Sequence, residues 1–221
     1  MLPHRAVSQP HTHMSASHTA QEAVEVQAAG CPPSAVAVLI LERCIAPDLA
    51  TLSVQLITFV NLRILNLNRC EIGSLDSFPA LPNLRRLELA DNQITGNLEP
   101  LQFLVALREL NLASNLIEAI DAVDGQGISP LASLGKLPNL CRLDLSGNPA
   151  ASAANYRELL FTAVGDSGRL LPHLAVLDGL DADGEEVEYE DSEYDEEESY
   201  DDEPEELEDI QARRTLAAHY S

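Results

Sequence analysis

The sequence has little basic charge, no long apolar run and no paired cysteine motif, and each shortage excludes a class of protein. Its 221 residues carry 13 lysines and arginines against 36 aspartates and glutamates, a formal net charge of −23. This excess opposes contact with nucleic acid phosphates, so we expect no direct binding to DNA or RNA. The longest uninterrupted apolar run is seven residues, 35–41, whereas a membrane-spanning helix needs about 20. We therefore expect no membrane span.

Metal-binding and catalytic motifs are also missing. The four cysteines, at positions 31, 44, 70 and 141, show no C-x-x-C spacing, so we predict no metal site and no cofactor. The sequence lacks G-x-S-x-G, G-x-x-x-x-G-K-[ST] and H-E-x-x-H, the signatures of hydrolases, P-loop proteins and zinc proteases. Its carboxylates lack an enclosing apolar pocket that would adapt them to acid–base chemistry. We predict no catalytic residue and no enzyme activity.

The negative charge is concentrated in one segment. Residues 185–209 contain 17 acids and no Lys or Arg, which leaves 19 acids and 13 bases elsewhere, a net charge of −6. A segment of this kind buries too little apolar surface to offset the conformational entropy of the chain. We predict three parts: a disordered leader (1–18), a folded domain with a helical cap at its start and a second cap at its end (19–183), and an acidic disordered tail (184–221).

A repeat occupies the folded part. Segments that begin at Leu62, Leu84, Leu107 and Leu140, and a weaker one that begins at Val36, fit the pattern L-x-x-L-x-L-x-x-N/C. The spacing is 22 to 26 residues, except for a 33-residue interval that contains a Gly- and Pro-bearing loop insertion at 121–130. This pattern is that of leucine-rich repeats.

The pattern predicts the architecture of each repeat. Alternate leucines of L-x-L point into the domain from a short strand, and the following Asn or Cys closes the turn with a buried side chain. Apolar residues at every third position between strands favour short helical or 3₁₀ turns. The predicted fold is an α/β leucine-rich-repeat solenoid, with a curved parallel sheet on the concave side and short helical or 3₁₀ turns on the convex side.

Polar side chains occupy the outward positions of the predicted strands. We predict that Glu88, Glu109, Asp144 and Asp178 line up across successive strands, about 5 Å apart, with Asn111 among them. Such a row would receive Lys or Arg side chains of a partner through charge-assisted hydrogen bonds. The alternative is a solvent-exposed face on which arginines of the same sheet pair with these acids.

The acidic tail is a second candidate site, because a flexible polyanion attracts basic proteins over long distances. The alternative is that the tail only increases solubility. Ser192 and Ser199 each precede an acid by three residues, the context that acidophilic kinases favour, and phosphorylation would add negative charge. The acids that we predict to contact a partner are Glu185, Glu186, Glu190, Asp191, Asp195, Glu196, Glu197, Glu198, Asp201 and Asp202.

The ends of the repeats carry further motifs. Pro33-Ser34 precedes the first strand, N-Y-R-E (155–158) begins a cap, L-P-H-L-A-V-L-D-G-L-D (171–181) completes it, and an acidic run follows. Together these motifs resemble the acidic leucine-rich nuclear phosphoprotein family. The resemblance implies a nuclear and cytoplasmic adaptor that binds histones, acts as a histone chaperone or chromatin regulator, and inhibits a serine/threonine phosphatase. We expect a monomer.

Two features differ from that family. The acidic run is short and interrupted by tyrosines, and no cluster of Lys and Arg forms an import signal, so entry into the nucleus rests on the resemblance alone. The spliceosomal U2 snRNP A-prime protein has a similar cap. A subunit that takes part in ribonucleoprotein assembly is therefore an alternative reading.

Overall fold

The repeats form one parallel sheet in the computed structural model, which describes residues 19–46, 49–118, 130–153, 155–162, 164–165, 168–169 and 171–187. Six strands pair in the order β1-β2-β3-β4-β5-β8, and every pairing is parallel. They are β1 (Val38–Ile40), β2 (Ile64–Asn66), β3 (Arg86–Glu88), β4 (Glu109–Asn111), β5 (Arg142–Asp144) and β8 (Val176–Leu177). The predicted leucine-rich-repeat fold is confirmed.

Short helices lie between most of the strands, as the spacing of apolar residues predicts. The interval between β2 and β3, residues 67–85, is an exception, because it contains turns and no helix. The α-helices are α1 (Ala20–Gln27), α2 (Leu49–Leu56) and α3 (Tyr156–Thr162), and the 3₁₀ helices are Pro33–Ala35, Glu99–Phe103, Pro130–Lys136 and Pro149–Ser152. An antiparallel pair, β6 (Val164–Gly165) and β7 (Gly168–Arg169), precedes β8. No helix of the described residues is both long and apolar enough to cross a bilayer.

The chain divides into two units, 1–187 and 188–221, and all described residues belong to the first. The predicted leader (1–18), most of the 121–130 insertion and the tail from residue 188 onward lie outside the described residues. The limits that we predict for the three parts therefore stay predictions.

The second residue of each strand in the six-stranded sheet is a buried leucine. These residues are at most 2% exposed, and burial of each such side chain contributes about 1.5–3 kcal/mol to stability. Because each repeat buries these leucines against the next one, the core runs continuously along the sheet. The six residues are Leu39, Leu65, Leu87, Leu110, Leu143 and Leu177.

A ladder of buried asparagines, formed by Asn92, Asn115 and Asn148, joins successive repeats at the ends of the strands. The side-chain amide of Asn115 donates to the carbonyls of Leu89 and Leu112, at 2.9 and 3.0 Å, and its oxygen accepts from the backbone N–H of Ile94 at 3.0 Å. Asn92 and Asn148 make the equivalent bonds in their repeats. One side chain per repeat thereby satisfies backbone groups on two neighbouring turns.

Cys70 occupies the Asn position of an earlier repeat and keeps the donor part of this role. Its Sγ donates to the carbonyl of Leu41 at 3.0 Å, and burial raises the pKa of the thiol to about 12. A thiol has no acceptor equivalent to an amide oxygen, and here the Cys70 backbone carbonyl accepts from Ala46 N–H at 3.0 Å. The prediction that cysteine is structural at this position agrees with its complete burial.

Each buried Asn or Cys at the end of a strand follows a residue with left-handed backbone geometry, with φ between 53° and 71°. The buried residues are the three asparagines of the ladder and, in the earlier repeats, Cys44 and Cys70. This conformation turns the chain at the end of the strand, at a cost of roughly 1–2 kcal/mol for a residue other than glycine. Gly147 is the one glycine in the series, and a Cβ there would come within 3.1 Å of the Ser114 hydroxyl. The five residues are Arg43, Arg69, Asp91, Ser114 and Gly147.

Helix α1 covers the first strand. Thr19 caps the helix: its hydroxyl accepts from Glu22 N–H at 3.3 Å, and the Glu22 carboxylate accepts from Thr19 N–H at 2.9 Å. Gln27, the last residue of α1, hydrogen-bonds both the N–H and the carbonyl of Ile40. Its side chain therefore takes the place of a neighbouring strand at the outer edge of β1.

The asparagine ladder leads to a prediction about stability. Asn115→Ala should lower the free energy of unfolding by roughly 3 kcal/mol, because it leaves three buried backbone groups without their partner. Asn115→Cys should lower it less, since a thiol can still donate. Asn83→Ala, which removes one exposed bond to the Val60 carbonyl, should cost about 1 kcal/mol. Urea unfolding followed by circular dichroism measures all three, and equal losses for Asn115→Ala and Asn83→Ala would contradict the role of the ladder.

Candidate functional site

The concave face consists of two rows of side chains, one from the first and one from the third residue of each strand. The register places Ile64, Arg86, Glu109, Arg142 and Val176 in the first row, and Asn66, Glu88, Asn111 and Asp144 in the second. The prediction that Glu88, Glu109, Asp144 and Asp178 form a single row is wrong. Glu109 is the first residue of its strand whereas Glu88 is the third of its own, so Glu109 lies opposite Arg86.

Arg86 neutralises the acids at the centre of this face. Its Nε lies 2.8 Å from Glu88 Oε1 and 3.6 Å from Glu109 Oε2. The second Glu88 oxygen accepts from the Asn111 amide at 2.7 Å. The Glu88 and Glu109 side chains are only 13% and 19% exposed. A basic partner would therefore have to compete with Arg86. This arrangement corresponds to the alternative in which arginines of the same sheet pair with the acids.

Residues of the second row also close the ends of their own strands. Asp144 Oδ1 accepts from the N–H and the hydroxyl of Ser146, at 2.9 and 2.7 Å. Asn111 Oδ1 accepts from the N–H of Ala113 at 3.0 Å. These bonds from residue i to residue i+2 are Asx turns. The predicted site residues Asp144 and Asn111 thus have a structural role.

Asp178 is part of the C-terminal cap. Its Oδ1 accepts from Leu145 N–H at 2.8 Å and from the Tyr156 hydroxyl at 3.3 Å. Burial raises the pKa of the Asp178 carboxyl, and Asp144 acts in the same direction. The pKa of Tyr156 is also raised, first by burial and then by the charge of Asp178. Asp178 therefore differs from the exposed acceptor that the sequence predicts.

Arg157, in helix α3, holds the cap to the last strand. Its guanidinium donates to the carbonyls of Leu177 and Asp181, at 2.9 and 2.6 Å, and lies 5.6 Å from the centre of the Phe161 ring. Sequence reasoning singled out the N-Y-R-E motif for its resemblance and missed the functions of Tyr156 and Arg157. The signal in the sequence for these roles was the occurrence of Tyr156, Arg157 and Phe161 on one short helix.

The start of the predicted tail is part of the same cap. Glu185 N–H donates to Asp181 Oδ1 at 2.9 Å, Glu186 bridges to Leu180, and Val187 N–H donates to the Gly179 carbonyl. Backbone pairing thus continues four residues past the predicted end of the domain at Asp183. The other predicted tail acids, with Ser192 and Ser199, lie outside the described residues.

The end of the concave face nearest the N-terminus is apolar. Val38 and Ile40 of β1 are 46% and 39% exposed, and they lie beside Ile64 and Asn66 of β2. The face therefore changes from apolar at β1 to charged at β3 to β5. Within the described ranges, no group of three or more His, Cys, Asp and Glu side chains could hold a metal ion.

Comparison with known proteins shows what this architecture is similar to. A family model described as Leucine Rich repeats (2 copies) matches residues 60–95 and 82–125. Over 161 residues the chain is 36% identical to the acidic leucine-rich nuclear phosphoprotein 32-related protein 1 of Caenorhabditis elegans, a match that covers 71% of this chain and 62% of that protein. Over 129 residues it is 39% identical to a protein of Tetrahymena thermophila that is named a histone, with 57% of this chain and 29% of that protein covered.

The chain thus spans less than two thirds of the length of either curated relative. Among solved structures, the Drosophila melanogaster SNF/U2A' complex contains a chain that aligns with a TM-score of 0.51 at 23% identity, over 68% of this chain and 74% of the other. At 23% identity, this structural similarity shows a shared fold and nothing more.

The buried Asp178 carboxyl predicts a specific dependence of stability on pH. The pKa of the Asp178 carboxyl is higher in the folded state than in the unfolded state, so the folded state binds this proton more tightly. The resulting stability is fully present below the unfolded pKa of about 4, and it is lost as the pH rises through the raised pKa of the folded state. Asp178→Asn keeps the Oδ1 acceptor and removes the charge. The variant should match wild type near pH 4 and equal or exceed its stability at pH 7.

Urea unfolding of both proteins between pH 4 and pH 7 tests this, since the difference between them isolates the Asp178 contribution. Asp178→Ala, which removes the acceptor, should lose about 1 kcal/mol or more at every pH. Asp183→Asn, at an exposed position in the next turn of the cap, serves as the control and should leave the curve unchanged. A loss at pH 7 as large for Asp178→Asn as for Asp178→Ala would contradict the assignment.

Proposed function

Because this chain is a leucine-rich-repeat relative of the acidic leucine-rich nuclear phosphoproteins, we propose that it is a non-enzymatic adaptor that binds basic proteins, histones in particular. The acidic segment supplies attraction and the repeats supply selectivity. The proposal includes a nuclear location and a role as histone chaperone or chromatin regulator. The observation that supports the proposal most is the concentration of acids in one segment: 17 of the 36 acids lie in the 25 residues 185–209, with no Lys or Arg among them.

A polyanion of this density suits a partner rich in Lys and Arg. Its field extends about one Debye length, roughly 8 Å at physiological salt, which raises the rate of encounter with a basic surface. Two relatives support the same class of partner: one is named a nuclear phosphoprotein and the other is named a histone.

The concave face contributes in a more specific way. Glu88 and Glu109 already hold Arg86 between them, so a partner arginine that replaces Arg86 would find two carboxylates in fixed positions. The exposed Val38 and Ile40 at the other end of the face would contact apolar residues of the same partner. Asn111 and Asp144 would maintain the strand ends that position these groups, and Asp178 would maintain the cap.

The test is a titration of fluorescently labelled core histones against the whole chain and a chain that ends at Val187, at 0.05 and 0.15 M salt. Val187 is the end point because it completes the cap pairing. Removal of the tail should weaken binding about tenfold or more at 0.15 M salt and reduce the dependence on salt.

A full-length variant with the 15 acids of residues 188–209 changed to their amides keeps the full chain length and should resemble the truncated chain. A second control, Glu71→Gln with Glu118→Gln, removes two exposed charges of the repeats and should leave affinity within about twofold. Equal affinity of the whole and truncated chains would refute the role of the tail.

The face is tested separately with the truncated chain. Glu88→Gln with Glu109→Gln should weaken residual histone binding several-fold, since these acids are fixed and partly desolvated. Polylysine of matched charge reports attraction without shape, and it should respond less to this pair of substitutions than histones do. The opposite order would show that the face does not select the partner.

A further inference from the structure

A row of arginines lines the side of the sheet at which the strands begin. The Arg63 carbonyl accepts from Arg85 N–H and Arg86 N–H, at 2.8 and 3.0 Å, and the Arg85 carbonyl accepts from Arg108 N–H and Glu109 N–H at the same distances. Arg63, Arg85 and Arg108 therefore occupy the same position in three successive repeats, about 4.8 Å apart. Arg63 and Arg108 are exposed and Arg85 is partly exposed.

The segments that form this side, here called the entry edge, contain no acid. They are 58–63, 80–85, 103–108 and 136–141, and they contribute three arginines and Lys136 in a chain with 36 acids. The opposite side, where the strands end, carries Glu42 and Asp91, and Arg69 there pairs with both, at 3.5 and 3.0 Å. The net charge of the folded part therefore conceals a separation of charge across the sheet.

Exposed apolar side chains accompany the arginines. Val60, Phe103 and Val105 of the entry edge are 53%, 57% and 50% exposed. The Asn83 amide donates to the Val60 carbonyl and the Asn139 amide to the Val105 carbonyl, both at 2.8 Å. These bonds place the two valines at equivalent positions, three residues before an arginine in each case. An apolar row thus runs beside the basic row.

Cys141 occupies the position after Arg108 in this row and ends the series of arginines. Its Sγ lies 3.5 Å from the Arg108 carbonyl. Burial raises the pKa of this thiol and Glu109 acts in the same direction, while Arg142 and Arg108 oppose the rise.

We propose that the entry edge is a docking surface for an extended acidic segment of a partner protein, in which acidic and apolar residues alternate. Arginine guanidinium groups match carboxylates in geometry as well as charge. In an extended segment, alternate side chains point to opposite sides, so carboxylates can meet the arginines while apolar residues meet Val60, Phe103 and Val105. At 0.15 M salt the Debye length is about 8 Å, so charges of the repeats that lie further than this from the edge are largely screened. A nucleic acid fits less well, since it offers no apolar side chains to Val60, Phe103 and Val105.

This docking surface is distinct from the sites proposed for histones, since it selects the opposite charge. The experiment uses the whole chain and a fluorescein-labelled 12-residue peptide with six Glu and three Leu separated by Ser, at 0.15 M salt, read by anisotropy. We expect measurable binding. Arg63→Ser with Arg85→Ser and Arg108→Ser should weaken it about tenfold, and Val60→Ser with Val105→Ser about threefold.

The matched control is Arg43→Ser with Arg69→Ser, which removes arginines from the opposite side and should change affinity by less than about twofold. Urea midpoints of all variants establish that they fold. The proposal is overturned if the peptide does not bind, if the control variant loses as much as the triple variant, or if a peptide with Leu changed to Ser binds equally well. It is also overturned if a 20-nucleotide single-stranded DNA binds more tightly than the peptide and the triple variant abolishes that binding.

Discussion

The buried Asn and Cys side chains at the ends of the strands are the constraint on which the other parts of the structure depend. A strand of three residues has few backbone bonds of its own, and the turn that follows it leaves buried N–H and carbonyl groups. Asn92, Asn115 and Asn148 satisfy those groups in two repeats at once. Because an unpaired buried polar group costs about 1–3 kcal/mol, the ladder fixes the register between repeats, and the leucines of the core then stack in line.

Fixed register determines the chemistry of the surface. The parallel pairing sets Arg86 opposite Glu109, with Glu88 two residues further along its own strand, so one guanidinium lies near both carboxylates. A shift of one residue would turn these side chains into the core. The concave face is therefore a set of paired charges with an apolar end, and under the proposed function a basic side chain of the partner would take the place of Arg86.

The same register separates charge across the sheet. Positions before β2, β3 and β4 carry Arg63, Arg85 and Arg108 with no acid in the same segments. At the opposite side Glu42 and Asp91 pair with Arg69, and 17 of the 36 acids lie in residues 185–209. A molecule with a net charge of −23 can thus present a local basic surface. Two classes of partner, one basic and one acidic, could be held at different places on a single chain.

The sequence by itself determined the repeat, the inward leucines, the structural role of Asn and Cys, the helical cap at the start of the folded part and the location of the acidic segment. Each of these follows from spacing along the chain, which local geometry converts directly into position. The repeat pattern already puts Glu88 and Glu109 at different positions, the fifth and the third of their repeats, so their prediction as one row misread the sequence. The sequence could not show that Arg86 joins them or that Asp178 is buried against Tyr156. Those facts depend on distances between residues of different repeats, and only the packed sheet sets these distances. The sequence shows an Arg after three of the four leading leucines, Leu62, Leu84 and Leu107. Only the backbone hydrogen bonds between neighbouring strands placed these arginines side by side.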